Sequence, residues 1–243
     1  MIKIRDTDHM EYMEGMEKSD HSIMNKVLKM TDEYDYRRYN AIDVKNVLNK
    51  ETLGAEDLAV LLSPSAEPLL EKMARRAKIE TAKHFGNTVC MFTPLYIANY
   101  CENYCVYCGF NCSNKIRRGK LSIDEIESEY KTISETGLRE ILLLTGESKS
   151  ASPVEYIAEA VSLAKKYFST IGVEVYPMNS DEYAVLRKAG ADFVSVYQET
   201  YNTVKYEEVH LRGPKRVFPY RFNSQERALM GGMRGVAFGS LLG

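Results

Sequence analysis

Asn99-Tyr100-Cys101-Glu102-Asn103-Tyr104-Cys105-Val106-Tyr107-Cys108-Gly109-Phe110 places three thiols in a C-x3-C-x2-C spacing, directly after an apolar segment. Cys101, Cys105 and Cys108 can hold three irons of a [4Fe–4S] cube, which is normally ligated by four cysteines. The fourth iron is then left for a group that is not protein. An open metal position is what separates a reactive site from a structural one.

Zinc and a disulfide are the competing readings of these thiols. Structural zinc takes four ligands, usually as two C-x2-C or H-x3-H halves, and Cys90 and Cys112 supply no second half. His9, His21, His84 and His210 are scattered, with no pair at ligand spacing. The chain opens on the charged run Met1-Ile2-Lys3-Ile4-Arg5-Asp6 rather than an apolar signal, which argues against an oxidising compartment and points to the cytoplasm. Cys90 reads as a buried small hydrophobe and Cys112 as a loop thiol.

The bulk numbers narrow the function classes. At 243 residues the chain suits one large domain with an appendage. A formal net charge of −2 argues against a nucleic-acid surface. No stretch reaches the roughly 18 apolar residues of a membrane span.

Residues 1–85 read as a helical N-terminal segment, with apolar residues at helical spacing in Glu56–Leu62 and Pro68–Ala77 and a helix start at Ser65–Pro68. Residues 86–243 alternate short strands and helices. The strands are Val89–Phe92 running into Pro94–Ile97, Glu140–Leu144, Val173–Tyr176, Phe193–Tyr197 and Gly235–Phe238. The helices cover about 122–136, 153–168, 181–188 and, after a longer loop, 224–230. Ser122 with Glu125 forms a capping box. This βαβα order implies an α/β fold of parallel strands, a TIM-type or partial barrel of about five βα units. Five strands do not close a barrel, and Gly239–Gly243 leaves an apolar parallel edge, so a fragment of a longer protein is expected.

Carboxylates gather where the strands end. Glu147 follows the second strand and Glu199 the fourth. Glu174 lies inside the third, where alternation sets it opposite Val173 and Val175 and so away from the helices. Three carboxylates on one rim can bind an ammonium and sugar hydroxyls; the plainer reading is that each pairs with a nearby Arg or caps a helix. Gly146 lets backbone approach a ligand closely. Arg221 can clamp a carboxylate bidentately. His210 is a candidate proton-transfer group or ligand-binding residue, although a lone loop histidine is more often structural or solvated. Gly231-Gly232-Met233-Arg234-Gly235 with Gly239 suggests a backbone lying against an adenine.

With Tyr107 before the last thiol, the Cys loop resembles the hallmark of the radical S-adenosylmethionine enzymes. Leu144-Thr145-Gly146-Glu147, Tyr197-Gln198-Glu199-Thr200-Tyr201 and His210–Lys215 make the chain similar, from about Leu58 onward, to their tyrosine lyases of thiazole synthesis, the 2-iminoacetate synthases. The resemblance implies a [4Fe–4S] cluster that chelates and reduces S-adenosylmethionine. The resulting 5′-deoxyadenosyl radical attacks L-tyrosine, whose Cα–Cβ bond breaks to give 2-iminoacetate and p-cresol for the thiamine thiazole. It further implies a flavodoxin- or ferredoxin-type electron donor and thiazole synthase as a candidate partner. By position, Glu147 matches the residue that holds the methionyl amine and Arg221 its carboxylate, with Glu174, Gln198 and Thr200 as candidates for ribose contacts. The rival functions are a HydG-type tyrosine lyase of hydrogenase maturation, a biotin-synthase-like sulfur inserter and a non-catalytic metal-binding fragment.

Overall fold

In the computed structural model residues 8–242 are described, so the charged opening Met1–Asp6 and the final Gly243 lie outside the description. The chain divides into two compact units, residues 27–90 and the remainder. The sequence reading set a single boundary at 85/86. The described residues up to Lys26 instead belong with the sheet, held by contacts that no local pattern announces. The Phe218 amide donates to the His9 carbonyl (2.8 Å) and the Ser180 amide to Glu17 Oε2 (2.6 Å).

Residues 27–90 are helical, as their spacing predicts. The chain enters along α1 (Ser22–Glu33), followed by α2 (Ala41–Leu48), α3 (Ala55–Leu61) and α4 (Leu70–Phe85). Asn40 caps α2, accepting from the Ile42 and Asp43 amides while Asp43 returns a bond to the Asn40 amide. A 3-10 turn with Pro68 inside it precedes α4, so the long helix starts later than its proline suggests. Val44, Val47, Val60, Ala66 and Leu69 make a small core of their own.

The second unit is built on β1 (Phe92–Ala98), β2 (Tyr104–Cys105), α5 (Ile123–Glu135), β3 (Glu140–Thr145), α6 (Val154–Ala164), β4 (Thr170–Glu174), α7 (Ser180–Ala189), β5 (Phe193–Ser195), α8 (Thr203–Val209), β6 (His210–Arg212), α9 (Phe218–Phe222), α10 (Ser224–Met230) and β7 (Gly235–Ala237). Five strands form one parallel sheet in the order β1-β3-β4-β5-β7, the partial barrel expected. β1 is an edge, which is why Pro94, with no N–H to give, is tolerated in it. The expected strand at 173–176 lies earlier, because its ladder with β3 begins at Glu140↔Thr170 and runs out at Leu144↔Glu174. Likewise β1 starts at Phe92, and the expected strand residues Val89–Met91 stay outside it. The loop expected between the fourth strand and residue 224 contains α8, β6 and α9, all short elements.

Register sorts the side chains. Leu95, Leu143, Val173, Val194 and Val236 are ladder partners in one row and pack into the main core. The next row, Tyr96, Leu144, Glu174 and Ser195, faces the other way and lines a cavity. α5, α6, α7 and α10 pack in succession, each against the next. Among the described residues no helix is long and apolar enough to cross a membrane.

Leu143 is fully buried at the centre of this core. Leu143→Ala should cost about 3 kcal/mol through lost burial and the cavity left behind, measured by urea unfolding. A loss below about 1 kcal/mol would mean that the row is not the packed face.

Candidate active site

The thiol loop is fastened to the sheet at several points. Gly146 donates its amide to the Ala98 carbonyl (2.9 Å), and Glu102 donates its own to the Glu147 carbonyl (3.0 Å). A Cβ at Gly146 would collide with the Tyr100 carbonyl, so the close approach this glycine permits is that of the Cys loop itself. On its other side the loop pairs through β2 with β6, antiparallel, at Tyr104↔Arg212 and Cys105↔His210.

This pairing explains two residues of the motif. The Tyr206 carbonyl can only accept, so His210 donates to it from Nδ1 (2.9 Å) and accepts at Nε2 from the Tyr107 hydroxyl (2.7 Å). Burial, helped by the Lys215 and Arg221 cations, pushes the His210 imidazole down to about 3. Of the roles open to His210 the structural one holds: it is a neutral, fully buried bracket for the aromatic between the second and third thiols.

All five cysteines are free. Cys105 is buried and Cys101 and Cys108 are half-buried, while Cys90 and Cys112 are exposed, so Cys90 is not the buried hydrophobe expected. Burial pushes the Cys105 thiol up to about 12, and burial with the Glu147 charge raises Cys101. Loading a metal here must therefore expel protons. Among the described residues no three His, Cys, Asp or Glu side chains gather as ligands of a single ion. A cubane asks for something different, one thiol on each of three irons, and the loop offers three free thiols.

Beside the loop lies a cavity of about 100 Å³ lined by Tyr96, Glu147, Glu174, Glu199, Lys215 and Arg221, among others. Arg221 donates from Nη1 to Glu147 Oε1 (2.9 Å) and from Nε to the Tyr197 carbonyl (2.6 Å). Lys215 Nζ bonds Glu199 Oε1 (2.8 Å) and stands 3.7 Å from Glu147 Oε1. Asn103 Nδ2 reaches both Glu147 Oε2 (3.0 Å) and Cys101 Sγ (3.7 Å), while its Oδ1 accepts from the Lys215 amide (2.8 Å). Burial opposes the charge on Glu147, but Arg221 and Lys215 outweigh it and hold the carboxyl below the usual range. Glu174 behaves oppositely. Burial and the Glu199 charge raise it, and its carboxyl makes no hydrogen bond among the described residues. Glu199 itself sits at φ 71°, a left-handed backbone unusual outside glycine and concentrated at functional sites.

The expected site residues thus part company. Glu147, Glu174 and Arg221 converge on the cavity. Arg221, expected to clamp a ligand carboxylate, already holds Glu147. Gln198 is buried behind the cavity, its Nε2 turned to the Phe218 carbonyl (3.4 Å) and its Oε1 without a partner. Thr200 lines a neighbouring cavity with Tyr107 and Glu199. Gly231 and Gly239 are shut in by α7 and the Tyr197 ring, so the glycine run serves packing rather than an open adenine shelf. Asn103 and Lys215 were not singled out. The signal for Asn103 was its place inside the C-x3-C spacer, while a lysine buried beside a carboxylate leaves no trace in a linear pattern.

The radical SAM superfamily matches residues 95–229, from β1 to α10. The chain belongs to the radical SAM superfamily. That superfamily uses a [4Fe–4S] cluster and S-adenosylmethionine. The chain is 39 % identical over 203 residues to the 2-iminoacetate synthase of Escherichia coli (strain K12), covering 84 % of this chain and 54 % of that protein. It is 32 % identical over 180 residues to the 3-methylornithine synthase of Methanosarcina acetivorans, 72 % of this chain and 50 % of that one. A crystal structure of HydG, a maturase of the [FeFe]-hydrogenase, superposes with a TM-score of 0.77 at 27 % identity, covering 91 % of this chain and 50 % of HydG. The chain thus spans about half the length of these relatives.

Arg221→Met strands Glu147 without its nearest cation and should cost about 3–5 kcal/mol, much of it recovered in the double variant with Glu147→Gln. Glu147 has a folded pKa below its unfolded one, so the stability it contributes is present above the unfolded pKa and lost as pH falls through the folded one. Wild type should therefore lose stability more steeply than Glu147→Gln below about pH 4. Parallel pH profiles in urea would contradict the pairing.

Proposed function

We propose that this chain is a radical SAM lyase that cleaves the Cα–Cβ bond of L-tyrosine to 2-iminoacetate and p-cresol, serving thiazole formation in thiamine synthesis. The observation that carries the reading is the 39 % identity to a 2-iminoacetate synthase over most of this chain. The thiol loop beside a charged cavity supports it. When bound, the cluster and S-adenosylmethionine supply a one-electron reductive cleavage and a 5′-deoxyadenosyl radical.

The protein's share is to bind, orient and exclude water. Cys101, Cys105 and Cys108 take three irons and leave the fourth open. A carboxylate offers about four lone-pair sites, and Glu147, held ionised, keeps room for the methionyl ammonium beside the bonds from Arg221 and Asn103. Arg221 uses two N–H donors internally, and the remainder of its five are assigned to the methionyl carboxylate. Of the three ribose candidates Glu174 lines the cavity with its carboxylate unengaged, so the sugar hydroxyls are assigned to it rather than to Gln198 or Thr200. Asn103 ties the first thiol to Glu147, so cluster and amine sites keep one mutual geometry. L-Tyrosine is the substrate and the electron comes from an external carrier. The likeness to HydG favours one second reading, a tyrosine lyase that goes on to cyanide.

The deciding experiment is anaerobic reconstitution with iron and sulfide, followed by reduction with S-adenosylmethionine and L-tyrosine. 5′-Deoxyadenosine with p-cresol is expected. Cyanide alongside them would move the assignment to HydG-type chemistry, and a loaded cluster giving neither product would overturn the lyase. Cys105→Ala should lose the iron and sulfide that Cys112→Ala retains.

A further inference from the structure

After the thiol loop come Ser113-Asn114-Lys115-Ile116-Arg117-Arg118-Gly119-Lys120, four cations with no acid among them. No acidic residue occurs from Asn103 to Ile123, although the whole chain has a formal net charge of −2. Most charge runs are mobile solvated surface. This one has no helix and only the single bridge of Lys120 to Ala98, yet it is clamped. Arg118 turns inward and donates from Nη1 to the carbonyls of Asn99 (2.7 Å) and Phe110 (3.0 Å) and from Nη2 to that of Asn111 (2.8 Å). Asn99 closes the other side, donating to the Arg117 carbonyl (3.0 Å) and accepting from the Gly119 amide (2.8 Å). Asn114 donates to the Gly109 carbonyl (3.1 Å).

The clamp has a consequence for charge. Arg118 is consumed in fixing the segment to the backbone on both flanks of Cys101–Cys108. Lys115, Arg117 and Lys120 remain exposed, with Ile116 exposed among them. Lys115 and Arg117 have no ion-pair partner within 4 Å among the described residues, and Lys120 lies over the Tyr156 ring. Unpaired cations held rigidly around one apolar residue form a preorganised surface for an acidic protein. Two unpaired cations and a third resting on a ring make a small patch, without the stacked aromatics that a nucleic-acid strand would use.

We propose that this clamped basic edge is the docking surface for an acidic one-electron carrier protein of the flavodoxin class. The inference rests on the cluster assignment above and deepens it by naming where the electron enters. The balance is simple: the carrier is oxidised by one electron, the cluster is reduced by one, and no bond is made or broken.

The test titrates an acidic flavodoxin, read by its own flavin fluorescence, with this chain at about 50 mM salt, where charge pairs are weakly screened. Lys115→Glu/Arg117→Glu should weaken binding by about tenfold or more, a gap that shrinks to about twofold near 0.5 M salt. Lys131→Glu/Arg139→Glu, the same charge change at the end of the sheet where the strands begin, should leave binding unchanged. Reduced flavodoxin should bleach the cluster of the first variant correspondingly more slowly, while dithionite bleaches both proteins alike. Equal flavodoxin affinity for wild type and the Lys115/Arg117 variant would overturn the proposal, as would an equal loss in the Lys131/Arg139 control. Iron and sulfide content reports separately on the cluster assignment, because the titration reads a protein surface and its flavin signal needs no iron.

Discussion

Glu147 is a mostly buried carboxylate that groups from three parts of the chain compensate: Arg221 from α9, Lys215 from the turn after β6, and Asn103 from within the thiol loop. Removing either cation weakens the compensation of a charge in a poor dielectric, where an uncompensated ion is costly, and removing Asn103 takes away one of its hydrogen bonds. The arrangement therefore does two things together. It keeps Glu147 ionised, and it fixes the loop carrying Cys101 and Cys105 against the ends of β1 and β3. The same atoms that hold the fold here are the ones a cationic ligand would meet.

The sheet supplies the frame for this contact. A parallel ladder places Tyr96, Leu144, Glu174 and Ser195 side by side on four strands, and alternation sends all of them to the cavity while Leu143, Val173 and Val194 fill the core. Glu174 is thus carried into a crowded acidic site by strand geometry alone. Its unengaged, raised carboxyl and the neighbouring Glu199 with its left-handed backbone mark the part of the cavity least satisfied by the protein itself. Function is expected at such places.

Much of this was legible in the sequence, and for physical reasons. Ser122 and Glu125 formed the expected capping box because capping is local. The inward turn of Glu174 followed from period-two alternation, and the thiol spacing named its chemistry outright. What stayed hidden was non-local or short. The ends of β4 depend on its ladder with β3, the three-residue β6 is created by pairing with the Cys loop, and the docking of residues 9–17 onto the sheet unit rests on a few long-range hydrogen bonds to Phe218, Asn179 and Ser180. Arg221 lines the cavity, but its partner there, Glu147, lies 74 residues away, beyond the reach of any local pattern. For His210 the structural reading held, although a lone histidine carries no sign in the sequence of the Tyr107 and Tyr206 partners that bury it.

The central claim is that three thiols of one loop leave one iron open beside Glu147. Mössbauer spectroscopy on the chain reconstituted with ⁵⁷Fe, with and without S-adenosylmethionine, tests it most directly. The account predicts a cubane in which one iron of the four changes its signal when S-adenosylmethionine is added. Four irons indifferent to the addition, or a protein that assembles no cluster through these thiols, would contradict it.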